Sequence, residues 1–219
     1  MLTVRSLQVL LAACLLLSAA ANAQSPEAKD GPGELAALLQ LQPDAAKGMK
    51  VFTACWDCHR KDASGRASGV YPRLAGQHSS VLIKQLSDIR SGRRNNPNMR
   101  PLASTLSRND VVDVAAYLQS LPVSGTNGKG PGSALAQGKQ LYDRDCVSCH
   151  GGNGEGNGAK FYPMVAAQHY QYLLREVVAI RNGDRGNSNP EMVQAVKNYS
   201  QGDIEAVADY MSQLPPPKR

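Results

Sequence analysis

Two short clusters carry the chemistry legible in this chain. Cys55-Trp56-Asp57-Cys58-His59 and Cys146-Val147-Ser148-Cys149-His150 both read C-x-x-C-H, the attachment pattern for c-type haem. On one helical turn, residues three and four apart share a face. Two thiols can then add to the two vinyl groups of a porphyrin while the adjacent imidazole reaches its iron from the same side. A single cluster of this kind also fits half a zinc site or a redox pair. Zinc would want a second cysteine or histidine pair in each domain, and a redox C-x-x-C does not need the fixed histidine. Two copies inside a sequence repeat, behind an export signal, select two covalently bound haem c groups.

A haem iron takes a further ligand, for which His and Met are the common donors. Met99 and Met192 are paired by the repeat and lie in Asn/Pro loops, Asn95 to Met99 and Asn187 to Met192. They follow their haem histidines by 40 and 42 residues, far enough to bring the chain around to the opposite haem face. His78 and His169 are also paired, but each lies only 19 residues past its haem histidine, beside a helix start. The methionines are the favoured donors; the two histidines stay as alternatives, with a capping or surface role as their plain reading. A neutral thioether favours Fe(II) and raises the potential. Met49, Met164 and Met211 have no methionine counterpart in the other copy and read as packing residues.

The elements that must position these groups repeat as well. At an offset of 91, Tyr71-Pro72 matches Tyr162-Pro163, Gln77-His78 matches Gln168-His169, and Ile89-Arg90 matches Ile180-Arg181. Two extra residues between Gly183 and Met192 then bring Asp110 onto Asp203 and Leu121-Pro122 onto Leu214-Pro215. The expected division is a first domain over 44–122, a Gly-rich linker over 123–133 and a second domain over 134–219. Helices are expected over Asp44 to Ala54, Val81 to Ile89 and the Val111 to Leu118 run, capped by Ser107 or Asn109. In the second copy they are expected over Ser133 to Arg144, Tyr170 to Ile180 and the Ile204 to Met211 run. No alternating strand pattern is present, so the fold class is all-α. Each domain is small enough to need a staple or a cofactor. The scarcity of Phe and Trp, 2 and 1 among 219 residues, agrees with cores filled in part by something other than protein.

Residues 1–23 have a basic start, an apolar run over Leu7 to Leu17 and an Ala21-Asn22-Ala23 cleavage signal, which predicts a secretory signal peptide. The run is short for a membrane span of about 20 residues, so a soluble, periplasmic mature protein is expected. Cys14 sits in a lipoprotein-like box, but Leu15-Leu16-Leu17 stay apolar where such proteins turn polar, so lipid anchoring is disfavoured. The extension over 24–43 holds a short helix pattern from Glu34 to Leu41 with no assigned function.

The chain resembles the c4-type dihaem cytochromes, tandem class I cytochrome c domains. The resemblance rests on the two haem motifs, on Tyr71-Pro72-Arg73-Leu74-Ala75-Gly76-Gln77-His78, on Ile89 to Asn95, on Met99 and on Asp110 to Leu121, and covers residues 44–215. It implies one haem per domain, His/Met ligation through His59 with Met99 and His150 with Met192, and haem edges near each other at the domain interface. It further implies that the carbonyls of Pro72 and Pro163 orient the axial histidines. In fine haem contacts the copies differ: Met164-Val165-Ala166-Ala167 stands where the first domain has Arg73-Leu74-Ala75-Gly76.

The function so implied is single-electron transfer between respiratory partners, from a quinol-oxidising complex toward a terminal oxidase. A haem subunit of a larger dehydrogenase, such as a sulfide-oxidising flavocytochrome, is the alternative. A dihaem peroxidase is disfavoured by two paired Met loops, and an exported chain without other signals argues against nucleic acid. Residues 44–122 carry 12 basic and 6 acidic side chains, whereas 134–219 carry 9 and 9. That asymmetry predicts a first domain steered toward an anionic partner. Arg90, Arg93, Arg94 and Arg100 are candidate docking or propionate-pairing groups, and Gly151 to Gly158 is expected as a flexible surface loop.

Overall fold

The structure is a computed structural model that describes residues 33–218. The expected signal peptide, Cys14 and residues 24–32 lie outside the described residues. Eleven α-helices are described: α1 Glu34–Leu39, α2 Ala45–Phe52, α3 Trp56–His59, α4 Ser79–Arg90, α5 Arg100–Thr105, α6 Arg108–Ser120, α7 Leu135–Asp145, α8 Val147–His150, α9 Tyr170–Asn182, α10 Pro190–Val196 and α11 Gln201–Gln213. The described residues are helical apart from turns and an isolated antiparallel bridge between Asn157 and Tyr162.

The sequence repeat is a structural one. Helices α2 to α6 correspond in order to α7 to α11. In each copy the helix entering the haem motif crosses the last helix, and a glycine marks the crossing. A Cβ on Gly48 would overlap the Asp113 carbonyl oxygen, and one on Gly138 would overlap that of Ala206. The crossings also stack aromatic pairs, Phe52 with Tyr117 and Tyr142 with Tyr210, at centroid distances of 5.7 and 5.4 Å. Both closing helices begin at a capping box, Ser107 with Asp110 and Ser200 with Asp203. Ser107 is thus the cap that the sequence left undecided with Asn109. Each box satisfies amide donors that the first helical turn leaves without partners.

The first copy has an element the second lacks. Helix α1 places Leu38, fully buried, in the core formed by Phe52, Ile83 and Val111. Glu34 meets Arg90 at 3.4 Å, with both side chains essentially inaccessible to solvent. The Glu34 to Leu41 stretch, left without a role by the sequence, therefore contributes Leu35, Leu38 and Leu41 to the first domain's core.

The segment 123–133 has no helix, yet it is fixed along its length. Asn127 donates to the carbonyls of Gln168 and Ser212 at 2.9 and 2.8 Å. The Gly128 N–H donates to His169 Nδ1, and the Gly132 N–H to Asp209. Its glycines allow close approach: a Cβ on Gly128 would lie 2.6 Å from the Ala67 carbonyl oxygen.

Candidate haem sites

Each haem motif folds as one tight helical turn, α3 or α8, that ends at its histidine. None of the four motif cysteines is in a disulfide. Burial raises the Cys55 thiol above its usual range and, first among its causes, pushes Cys146 up to about 12. A redox C-x-x-C works through a thiol lowered in pKa, so these two point away from that chemistry. Among the described residues no group of three or more His, Cys, Asp or Glu comes together to hold a metal ion.

The histidines are buried, with His59 4% and His150 8% exposed. His59 Nδ1 lies 3.1 Å from the Pro72 carbonyl and His150 Nδ1 2.9 Å from that of Pro163. A carbonyl only accepts, so Nδ1 carries the proton in both and Nε2 presents its lone pair. Burial, opposed by that hydrogen bond, holds both imidazoles below the usual histidine range and hence neutral. His59 Nε2 is buried with no hydrogen-bond partner. A buried neutral imidazole with a fixed tautomer and an orphaned Nε2, beside two free thiols, is the donor set a covalently attached haem requires.

The loop that closes over each histidine turns on a glycine. The Gly65 N–H donates to the His59 carbonyl and the Gly156 N–H to that of His150, at 3.0 and 2.8 Å. Both glycines have φ near +73°, and a Cβ on either would lie about 2.5 Å from the backbone of the Tyr-Pro pair. That pair brings the proline carbonyl to the histidine. Gly65 and Gly156 obey the same 91-residue offset, which was the sequence signal for them. Met99 stands at the N-terminal edge of α5, half-buried, with its N–H donating to Asn96 Oδ1. Met192 lies on α10 and packs against the second domain's core. The two are paired by the sequence repeat, but Met192 lies inside a helix where a loop was expected, whereas Met99 precedes its helix.

The repeat-paired histidines go elsewhere. His78 Nε2 donates to the Glu155 carbonyl at 2.8 Å, and His169 Nε2 to that of Ser64 at 2.7 Å. Since Ser64 and Glu155 are themselves related by the repeat, these are two halves of one pseudo-twofold contact between the domains. Glutamines beside them follow the same symmetry. Gln77 pairs with the backbone of Met164, and Gln168 with the backbone of Arg73.

Two expectations are corrected here. Gly151 to Gly158 is not a free surface loop: its carbonyls receive His78 and, at 2.6 Å, Ser80. Of the arginines expected to dock a partner or pair with propionates, Arg90 and Arg94 are internal, whereas Arg93 and Arg100 are exposed. Arg90 is buried against Glu34, Arg94 reaches Glu176 at 2.9 Å and Tyr172 at 3.1 Å across the interface, and Arg93 pairs with Asp88. The partners of Arg90 and Arg94 come from another helix or the other domain, so a run of basic residues could not reveal them.

The cytochrome c family description matches residues 45–122 and 135–215. The chain belongs to the cytochrome c family. It is 37% identical over 201 residues to the thiosulfate dehydrogenase electron acceptor of Stutzerimonas stutzeri, covering 83% of this chain and 93% of that protein. To cytochrome c4 of Pseudomonas aeruginosa it is 31% identical, with 82% and 93% covered. The crystal structure of reduced cytochrome c4 from Pseudomonas stutzeri superposes with a TM-score of 0.72 at 31% identity, covering 79% of this chain and all of that one. This cytochrome c is accordingly an electron carrier of the c4 type, with two tandem domains and two covalently bound haem c groups. Among its described residues no helix is long and apolar enough to cross a membrane.

Proposed function

We propose that this cytochrome c is a periplasmic shuttle passing single electrons between respiratory partners, and that its two domains, 44–122 and 134–219 about the linker 123–133, divide that task. Cys55 and Cys58 hold one haem, Cys146 and Cys149 the other. His59 with Met99, and His150 with Met192, would ligate the two irons, and the Pro72 and Pro163 carbonyls would orient the histidines. When bound, haem supplies a one-electron Fe(III)/Fe(II) couple. The chain's part is to fix each imidazole in one tautomer, exclude water from it and present a soft sulfur opposite. The observation that carries this reading is the doubled pair of buried neutral histidine and proline carbonyl.

The electrostatic asymmetry moves to different residues. Arg60, Lys61 and Arg66 are exposed beside the first haem motif, where the second domain has Gly151, Gly152 and Asn157. Steering toward an anionic partner therefore acts at the first domain's motif. The test is anaerobic mixing of the oxidised holoprotein with a reducing partner at varied salt. We expect two electrons taken up per chain, one per haem, no turnover of peroxide, and slower low-salt association in a Lys61→Glu variant. Peroxide turnover at one haem, or a salt-independent rate unaltered by Lys61→Glu, would contradict the reading.

The donor is expected to be a quinol-oxidising complex and the acceptor a terminal oxidase. A second reading has a specific observation behind it: identity to the Stutzerimonas stutzeri protein named thiosulfate dehydrogenase electron acceptor, 37%, exceeds the 31% to the Pseudomonas aeruginosa cytochrome c4. A structure of thiosulfate dehydrogenase from Marichromatium purpuratum also aligns, with a TM-score of 0.68 at 29% identity over 78% of this chain and 40% of that one. In that reading a thiosulfate-oxidising enzyme supplies the electrons. Rapid reduction by such an enzyme with thiosulfate, against slow reduction by a quinol-oxidising complex, would decide for it.

A further inference from the structure

We propose that Gln77 and Gln168 are crossed positioning residues, each domain's glutamine tuning the axial histidine, and so the haem potential, of the other domain. The inference rests on the reading of His59 and His150 as iron ligands.

The geometry is a matched pair of relays. In the first domain, His59 Nδ1–H donates to the Pro72 carbonyl at 3.1 Å. The same peptide group continues as the Arg73 N–H, which donates to Gln168 Oε1 at 2.9 Å. Gln168 Nε2 donates in turn to the Arg73 carbonyl at 3.0 Å. In the second domain, His150 donates to the Pro163 carbonyl at 2.9 Å, and the following Met164 N–H donates to Gln77 Oε1 at 2.9 Å. Gln77 Nε2 closes on the Met164 carbonyl at 3.0 Å. With a donor and an acceptor fixed on either side, both amide orientations are determined.

The two glutamines are buried, Gln168 4% and Gln77 9% exposed, so little water competes with these bonds. A peptide whose N–H is hydrogen-bonded carries more negative charge on its carbonyl oxygen. Chains of such bonds strengthen one another by about 10–30% per bond. Gln168 thereby makes the Pro72 carbonyl a better acceptor and gives His59 more imidazolate character. A more basic axial ligand favours Fe(III) and lowers the potential. Gln77 acts in the same way on His150. The side chain immediately after each proline differs, Arg73 in one copy and Met164 in the other, yet both relays use only backbone at that position. The relay thus survives the divergence of the two domains.

The test uses the holoprotein with Gln168→Leu and Gln77→Leu, which keep side-chain bulk and remove the amide. Each haem's potential is followed by an NMR-detected redox titration, with the Nδ1–H resonance of each axial histidine read in the reduced state. Gln168→Leu should raise the potential of the first domain's haem, move the His59 proton upfield and leave the second domain's values in place. Gln77→Leu should do the mirror image. Gln168→Glu keeps an acceptor for the Arg73 N–H, so it keeps the relay even if the Leu variant folds poorly. Its His59 resonance should stay at, or downfield of, the wild-type position. Loosening of the domain contact alone would move both haems together, as in an Arg94→Ala control. Equal shifts in both haems, a shift confined to the substituted residue's own domain, or no shift would overturn the proposal. Absence in the wild-type spectrum of haem-shifted ring signals from His59 and His150 would overturn the ligation reading as well; bound histidines with an uncrossed response would overturn this proposal alone.

Discussion

At the scale of single residues, the motif cysteines and the buried His59 and His150 were legible because their pattern is written in local spacing. A helical turn converts C-x-x-C-H into a shared face whatever surrounds it. The roles of Gln77, Gln168, His78 and His169 were not legible, because each partner lies in the other domain. The repeat marked these residues as paired but could not say with what. His78 and His169, weighed as iron donors, spend their Nε2 protons on carbonyls across the interface. Met99, at the N-cap of α5, and Met192, within α10, remain the proposed donors. Substituting Met99 by Ala should abolish the weak near-red Met–Fe(III) absorption of one haem and lower that haem's potential. The other haem should keep both, and Met192→Ala should do the converse. Optical spectra of the oxidised variants check this; an undiminished band in either variant would remove that methionine from the site.

At the scale of helices, period and caps placed the long helices to within about three residues, but α5 and α10 lie where the sequence reads as Asn/Pro loops or carries no helix signal. The Asp44 to Ala54 expectation became Ala45–Phe52, with the Asp44 carboxylate capping the Ala46 and Lys47 amides. What the periodicity missed was why glycine stands at the crossings. Gly48 faces the backbone of α6, where a methyl group has no space. Gly48→Ala should cost the first domain about 1–3 kcal/mol or somewhat more, the usual penalty of overpacking. Denaturant unfolding followed at the haem bands would show it, and a loss below a few tenths of a kcal/mol would contradict the close crossing. Helix α1 makes a second case. Beside Leu38, its tie to the fold is the buried ion pair of Glu34 with Arg90 on α4, and no pattern in 24–43 could disclose that. Glu34→Ala leaves Arg90 buried without its carboxylate, so a loss of about 3–5 kcal/mol is expected in the first domain. A neutral outcome would mean that α1 is an ornament rather than part of the core.

At the scale of the molecule, the two domains form a pseudo-twofold pair rather than beads on a tether. The Gly-rich segment between them is held by hydrogen bonds, and two arginines of the first domain's basic cluster, Arg90 and Arg94, form an internal and an interdomain ion pair. His169 sits at the centre of this contact, accepting from Gly128 and donating to Ser64. Burial first, and the nearby Arg73 charge, hold its pKa below 6.5, outweighing the opposing Ser64 bond. The unfolded chain titrates near 6.5. The unfolded state thus binds a proton that the folded one refuses, and stability falls as pH falls. The contribution is complete above about pH 6.5 and is lost as pH drops through the lower folded-state value. Unfolding of the holoprotein measured between neutral and mildly acid pH should show this slope, and His169→Gln should flatten it. An equal slope in the variant would assign the effect to other groups.

The central claim is that two equivalent His/Met haem sites make this cytochrome c a two-centre electron carrier. A redox-poised optical titration of the wild-type holoprotein, following the haem bands and the near-red Met–Fe(III) band together, tests it most directly. The account predicts two high-potential steps, with the near-red band accounting for both haems. One low-potential haem lacking that band would contradict it, and would return His78 or His169 as an iron donor in one domain.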